Sequence, residues 1–253
     1  MKTDWDYTQL ADAYLKRPSY SKESIESMLE VANVSRWDKV CDIGAGTAHL
    51  TLILAEHGLE ITAIEPNDAM RRNGIERTKS FSNIRWVEAI AENTKQSSSH
   101  FNLVTFGSSF NVIDRKLALE EAYRVLKPSS WFVCMWNHRD LNDPIQAGIE
   151  NIIKSLVADY SYGTRRDDQT EIIRSSGLFS DVKKIESMIY YEQKVSDCIE
   201  AWRSHNTLCR QAGNRFNEIM KEIENYLNNV CNGFVRIPYI TRIWMARSIK
   251  DRN

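Results

Sequence analysis

Two acids and a pair of glycines stand out first in this 253-residue sequence. The apolar run Lys39-Val40-Cys41 ends in Asp42, and Ile43-Gly44-Ala45-Gly46-Thr47-Ala48 follows as a glycine-rich turn before an amphipathic stretch. A second apolar run, Leu59 to Ile64, ends in Glu65. A carboxylate at the tip of a second strand is placed to accept hydrogen bonds from a ribose. Gly44 and Gly46 carry no Cβ, so the turn lets a ligand approach the backbone. The chemistry implied is nucleoside binding. A pyrophosphate cradle is not implied, because the dinucleotide fingerprint needs a third glycine where this chain has His49.

A second group of chemically capable residues lies further along. Trp136-Asn137-His138-Arg139-Asp140 closes another apolar run and brings an amide, a proton acceptor and a permanent cation into one short loop. The planar guanidinium of Arg139 suits a carboxylate. Trp202-Arg203-Ser204-His205 offers an aromatic, a cation and a histidine in a helical stretch. His138 and His205 are the candidate general bases, since an imidazole titrates near neutral pH. Asn137, Arg139 and Trp202 are candidate substrate contacts. The structural alternatives are that Asn137 caps the next helix and Arg139 pairs with Asp140 or Asp143.

These residues need a scaffold, and the pattern along the chain supplies one. Buried-strand runs are expected at 39–43, 59–64, 84–87, 101–106 and 131–136, separated by amphipathic segments, as in a doubly wound α/β sheet. Two helices broken near Pro18 precede them. A sixth strand near Val182–Tyr190 and a seventh at Ile240–Ala246 follow, with a helical insertion from about Asp197 to Asn229 between them. Such an insertion would sit over the site as a lid. In open α/β sheets ligands lie beyond the carboxyl ends of the strands, so Phe106, Gly107, Ser108, Ser109 and Asn111 should face cofactor or substrate.

Composition narrows the partners. A net charge of −1 provides no global attraction to nucleic acid or to an anionic membrane. No apolar run approaches transmembrane length, and Met1-Lys2-Thr3-Asp4-Trp5 lacks a signal-peptide apolar region. Five cysteines without a C-x-x-C pair read as reduced thiols of a cytoplasmic protein, with no metal site. A homodimer is compatible with all of this.

The turn Asp42-x-Gly44-x-Gly46 resembles motif I of the class I S-adenosylmethionine (SAM) methyltransferases. Other stretches resemble the same family in register: Tyr14 to Tyr20 its cofactor-covering segment, Ala89-Ile90-Ala91-Glu92 its adenine loop, and Arg124-Val125-Leu126-Lys127-Pro128 its "RVLKP" signature. The resemblance covers roughly residues 35–140 and implies a Rossmann-like, seven-stranded, mostly parallel sheet with helices on both faces. It implies SAM as cofactor, with Tyr14, Arg17, Asp42, Gly44, Ala45, Gly46, Glu65, Pro66, Met70, Ala91 and Glu92 around it. Arg17 would meet the cofactor carboxylate and Met70 the adenine. Three departures stand out: Ala48 replaces a glycine, Ile90 replaces the adenine-binding aspartate, and Ser129-Ser130 replaces a glycine pair.

Trp136-Asn137-His138-Arg139-Asp140 resembles an element of a small-molecule subgroup related to trans-aconitate methyltransferases, whose histidine after strand four is Asn111 here. The expected organisation is covering helices at 1–34, a cofactor core at 35–140, and the rest of the sheet at 141–253 with the lid near 194–235. The expected activity is methyl transfer to a small polar or carboxylate-bearing acceptor. A SAM enzyme catalysing intramolecular cyclisation, a tRNA or protein methyltransferase, and an idle SAM-binding scaffold are the rival readings.

Overall fold

The computed structural model describes residues 5–250. The first residues of the covering segment expected from residue 1 lie outside the described residues, as do residues 251–253. Seven strands, β1 (Lys39–Ile43), β2 (Glu60–Ile64), β3 (Ile84–Val87), β4 (Phe101–Gly107), β5 (Leu126–Arg139), β6 (Phe179–Lys194) and β7 (Phe234–Ser248), form one sheet in the order β3-β2-β1-β4-β5-β7-β6. β1 to β5 are parallel, and β7 runs antiparallel to both β5 and β6. Every residue of β1 and β2 beyond the first is buried, which is why continuous apolar runs marked them rather than alternation.

The helices are α1 (Ala11–Tyr14), α2 (Lys22–Ala32), α3 (His49–Glu56), α4 (Asp68–Thr78), α5 (Arg115–Val125), α6 (Pro144–Leu156), α7 (Thr170–Ser175), α8 (Val195–Arg203), α9 (Asn206–Ala212) and α10 (Phe216–Val230). Asn67, Asp114 and Asp143 cap α4, α5 and α6, each side chain accepting two backbone N–H groups that would otherwise be orphaned. Phe106, Phe110, Phe132 and Phe179 pack in one core cluster, while Met28, Leu54, Val133 and Ile243 pack in a second. A third core joins α6, α8 and α10 to the ends of β6 and β7 through Ile149, Trp202, Ile223, Leu227 and Ile237. None of the described helices is long and apolar enough to cross a membrane.

Several elements differ from their sequence expectation. The first helix is a short turn followed by the four residues of α1. β6 and β7 extend well past the expected spans, because they pair with each other nearly end to end, from Phe179–Ser248 to Lys194–Phe234. The half-exposed alternation of β6 gives little apolar signal at its ends. β5 begins directly where α5 stops, so Lys127 to Ser130 belong to the strand. Ser129 there has φ of 60°, the left-handed conformation a glycine would adopt without strain.

Candidate active site

The strand order reverses between β1 and β4, and a crevice is expected there beyond the carboxyl ends of the strands. A cavity of about 770 Å³ occupies that place. Its floor is the turn after β1, Glu65 after β2, Ile90-Ala91-Glu92 after β3 and Gly107 to Asn111 after β4. Asn137 and Arg139 at the end of β5 form one side, and Tyr7, Tyr14 and Arg17 from the N-terminal segment cover it together with His205 and Arg165.

At the end nearest β2 the acids are held by the protein itself. Glu65 accepts the backbone N–H of Gly46 at 2.9 Å through Oε2 and that of Asn67 at 2.8 Å through Oε1. Each oxygen keeps lone-pair capacity for a ligand hydroxyl. Burial raises the Glu65 pKa to about 7 against these two hydrogen bonds. Asp42 accepts the hydroxyls of Thr51 at 2.6 Å and Thr105 at 2.8 Å, and burial raises its pKa to about 6. It ties β1 to α3 and β4 at the cavity wall.

The glycines of the turn line the cavity and also make room for the protein's own side chains. A Cβ on Gly44 would lie 2.4 Å from Ser109 Cβ, and one on Gly46 would lie 3.2 Å from Met70 Cε. Both have positive φ, 69° and 56°. The space they open is filled by Ser109, whose Oγ donates to Ile43 O at 2.7 Å, and by Met70. Ala48 caps α3 in the left-handed region at φ of 70°. His49 Nε2 lies 3.1 Å from Arg17 O, so it carries the proton, and Nδ1 accepts from Thr47 at 3.0 Å. His49 therefore joins the turn to the covering segment, and burial pushes its pKa down to about 3.

At the opposite end the cations gather. Arg139 Nη1 donates to His205 Nε2 at 2.9 Å, and its guanidinium lies 3.9 Å over the ring of Trp202. Trp202 and His205 stack with centroids 4.6 Å apart. Burial and the charge of Arg139 hold His205 neutral, well below its ordinary pKa. Arg17 binds the hydroxyl and the carbonyl of Ser204 at 2.8 and 2.7 Å and covers Tyr14 at 3.9 Å. Asn137 donates to Ser19 O at 2.8 Å and accepts from Thr241 at 2.6 Å, pinning the covering segment to β5 and β7. Tyr20 and Ser108 hydroxyls are hydrogen bonded at 2.8 Å.

The cavity thus brings together most of the residues singled out in the sequence, but three do not line it. Alternation along β5 sends His138 away from Asn137 and Arg139; it is buried, with its pKa pushed to about 3 first by burial and then by Arg165, Arg166 and Arg242. Phe106 faces the aromatic core against Phe110 and Phe132. Trp202 lies beneath Arg139 and His205 in the core of the inserted helices. Asn111 lines the cavity while accepting the indole N–H of Trp136 at 2.8 Å. Sequence reasoning missed Arg165 and Tyr239 as cavity residues. Arg165 sits in Arg165-Arg166-Asp167-Asp168, which reads as a solvated charge cluster, and Tyr239 precedes the apolar run that marked β7.

Residues 41–134 match the family described as Methyltransferase domain. This stretch of the core is thus similar to methyltransferase domains. The chain is 33% identical over 112 residues to a demethylmenaquinone methyltransferase of Staphylococcus epidermidis, covering 43% of this chain and 46% of that protein. An uncharacterized methyltransferase of Mycobacterium tuberculosis is 31% identical over 127 residues, 49% of this chain and 48% of its own length. The chain spans about half the length of the curated relatives it matches. The fold extends further than the sequence likeness. A candidate type II methyltransferase from Anaeromyxobacter dehalogenans superposes with a TM-score of 0.69 at 18% identity, over 91% of this chain and 97% of that one. Phosphoethanolamine N-methyltransferase 2 of Haemonchus contortus, solved with SAM, gives 0.58 at 14% identity, over 98% of this chain and 59% of that one.

The residues present fit SAM. The Glu65 carboxylate retains acceptor capacity for a ribose, Met70, Ile90, Ala91, Val112 and Leu117 supply an apolar wall, and the volume lies within the roughly 300–1,000 Å³ of small-ligand pockets. At the start of α3 the cap is Ala48, and His49 is turned to Arg17.

Proposed function

We propose that this chain is a SAM-dependent methyltransferase acting on a small acceptor that carries a carboxylate or comparable anionic group. The observation that supports it is one cavity with two unlike ends: Glu65 and an apolar wall at one, and Arg139 with His205 at the other. Bound SAM supplies an electrophilic methyl group on a sulfonium. Glu65 orients the ribose, Met70 and Ala91 contact the adenine, and Arg17 meets the cofactor carboxylate. Direct displacement draws most of its rate from placing the acceptor in line, which falls to Arg139 and Asn137.

His205 does not serve as a general base in this reading. Its Nε2 lone pair is already taken by Arg139, whose guanidinium is always a donor. His138 lies away from the cavity, so neither histidine is free to take a proton. This favours an acceptor atom that is unprotonated at neutral pH.

Incubation with SAM carrying an isotope-labelled methyl group, against fractionated small-molecule extracts, tests the reading. Label in a new small molecule together with S-adenosylhomocysteine is the expected result. Cleavage of SAM with no labelled product would instead support intramolecular cyclisation, label in RNA or protein would support a macromolecular acceptor, and absence of SAM binding would overturn the reading.

A further inference from the structure

We propose that the acceptor is a dianion, two carboxylates or one phosphate, seated between Arg139 and Arg165. This deepens the function proposed above and rests on it.

Three guanidiniums, those of Arg17, Arg139 and Arg165, line the same end of the cavity. Among the described residues, no carboxylate lies within ion-pair distance of any of them. Their partners are neutral: Ser204 for Arg17, His205 and the Trp202 ring for Arg139, and Asn137 O, at 3.5 Å, for Arg165. The carboxylates that line the cavity belong to the other end and are already engaged. Asp42 holds two threonines, Glu65 holds two backbone N–H groups, and Glu92 accepts the N–H of Asp114, which itself caps α5.

Grouping cations in a part-buried space without counter-ions is unfavourable. Burial, followed by the charges of Arg17 and Arg139, pulls the Arg165 pKa down to about 10. An anion bound there relieves the repulsion and gains charge-assisted, fork-shaped hydrogen bonds. The charge count sets its valence. The single carboxylate of SAM accounts for Arg17, which leaves two cations for the acceptor. A dianion also offsets the ammonium and the sulfonium of SAM, further positive charges that the cavity must tolerate.

Neutral His205 completes the device. Because it accepts from Arg139 without carrying charge, it orients the guanidinium and leaves its positive charge uncancelled. A carboxylate in its place would neutralise the site.

The test uses the full chain saturated with S-adenosylhomocysteine, titrated by calorimetry with succinate, inorganic phosphate, acetate and choline at constant ionic strength. Succinate or phosphate binding at least tenfold tighter than acetate, with no choline binding, is expected; which of the two wins separates a dicarboxylate from a phosphate acceptor. Arg165→Gln should weaken that binding at least tenfold while S-adenosylhomocysteine affinity changes less than threefold. Arg165→Lys, which keeps the charge and guards against a folding artefact, should retain intermediate binding. Equal binding of acetate and succinate, or no loss in Arg165→Gln, overturns the proposal. Failure of S-adenosylhomocysteine itself to bind would instead overturn the methyltransferase reading on which it rests.

Discussion

Arg139 reaches from the end of β5 to donate to His205 Nε2 at 2.9 Å, in a contact that closes the cavity between the sheet and the inserted helices. The pair makes His205 a positioning residue. A hydrogen bond involving a charged group is worth about 1.5–3 kcal/mol, or roughly 10–100-fold in affinity. His205→Ala should therefore raise the acceptor KM by about that factor and change kcat less. Because burial and Arg139 keep the imidazole neutral, kcat should show no His205 ionisation between pH 6 and 8. A limb near pH 6.5 that disappears in the variant would restore His205 as a base.

On the proposed reading, Glu65 makes cofactor binding pH-dependent. Burial places its pKa near 7 rather than at the ordinary 4.5, so it is a carboxylate above pH 7 and takes up a proton below it. A ribose donates to the carboxylate, so SAM affinity should be constant above about pH 8 and weaken roughly tenfold by pH 6. For the ligand-free protein the sign is opposite: the raised pKa favours the protonated folded state, and its contribution to stability falls between pH 4.5 and 7 as pH rises. Calorimetric titration of SAM across pH 5.5–8.5, with Glu65→Gln as the flat control, checks the first; a flat wild-type profile contradicts it.

Gly44 cannot accept a side chain. Alanine there would place Cβ 2.4 Å from Ser109 Cβ at a positive φ. Gly44→Ala should cost at least about 2 kcal/mol, lowering Tm by about 4–8 °C. Adding Ser109→Gly should recover only the clash and leave the backbone cost. Full recovery in the double variant would mean that φ of 69° carries no penalty.

Ser129 has the reverse sign. Its left-handed φ of 60° costs an L-residue about 1–2 kcal/mol, against roughly 0.5–1 kcal/mol of extra unfolded-state entropy for glycine. Ser129→Gly should raise Tm by about 1–4 °C. Thermal unfolding settles it, and an unchanged or lower Tm would show that the backbone strain at Ser129 is compensated locally.

The half of the cavity proposed to hold the cofactor was legible in one dimension because it is built from local signals. Strands buried on both faces leave apolar runs, and the turns that end them carry Asp42, Gly44, Gly46 and Glu65 at the sheet edge by necessity. Even so, one demand on the glycines was not visible. Ser109 is remote from Gly44 in sequence, and only the parallel pairing of β1 with β4 brings them together. The half proposed for the acceptor was far less legible. His138 and Arg139 are neighbours in sequence with equal chemical promise, and the pleat of β5 separates their destinations. Arg165 carried no distinguishing signal, because a cation beside another cation and two acids reads as surface.

By itself, then, the amino-acid sequence determined the α/β scaffold and the place of Asp42 and Glu65 at the cavity beyond the strand ends, since each depends on hydrophobic period and on residues close along the chain. Tertiary structure alone decided that Arg17, Arg139 and Arg165 share one cavity, that Trp202 lies beneath Arg139 outside the cavity lining, and that His205 is a neutral partner of a guanidinium. Those outcomes depend on which long-range elements meet, on the burial that follows, and on the charges this brings together.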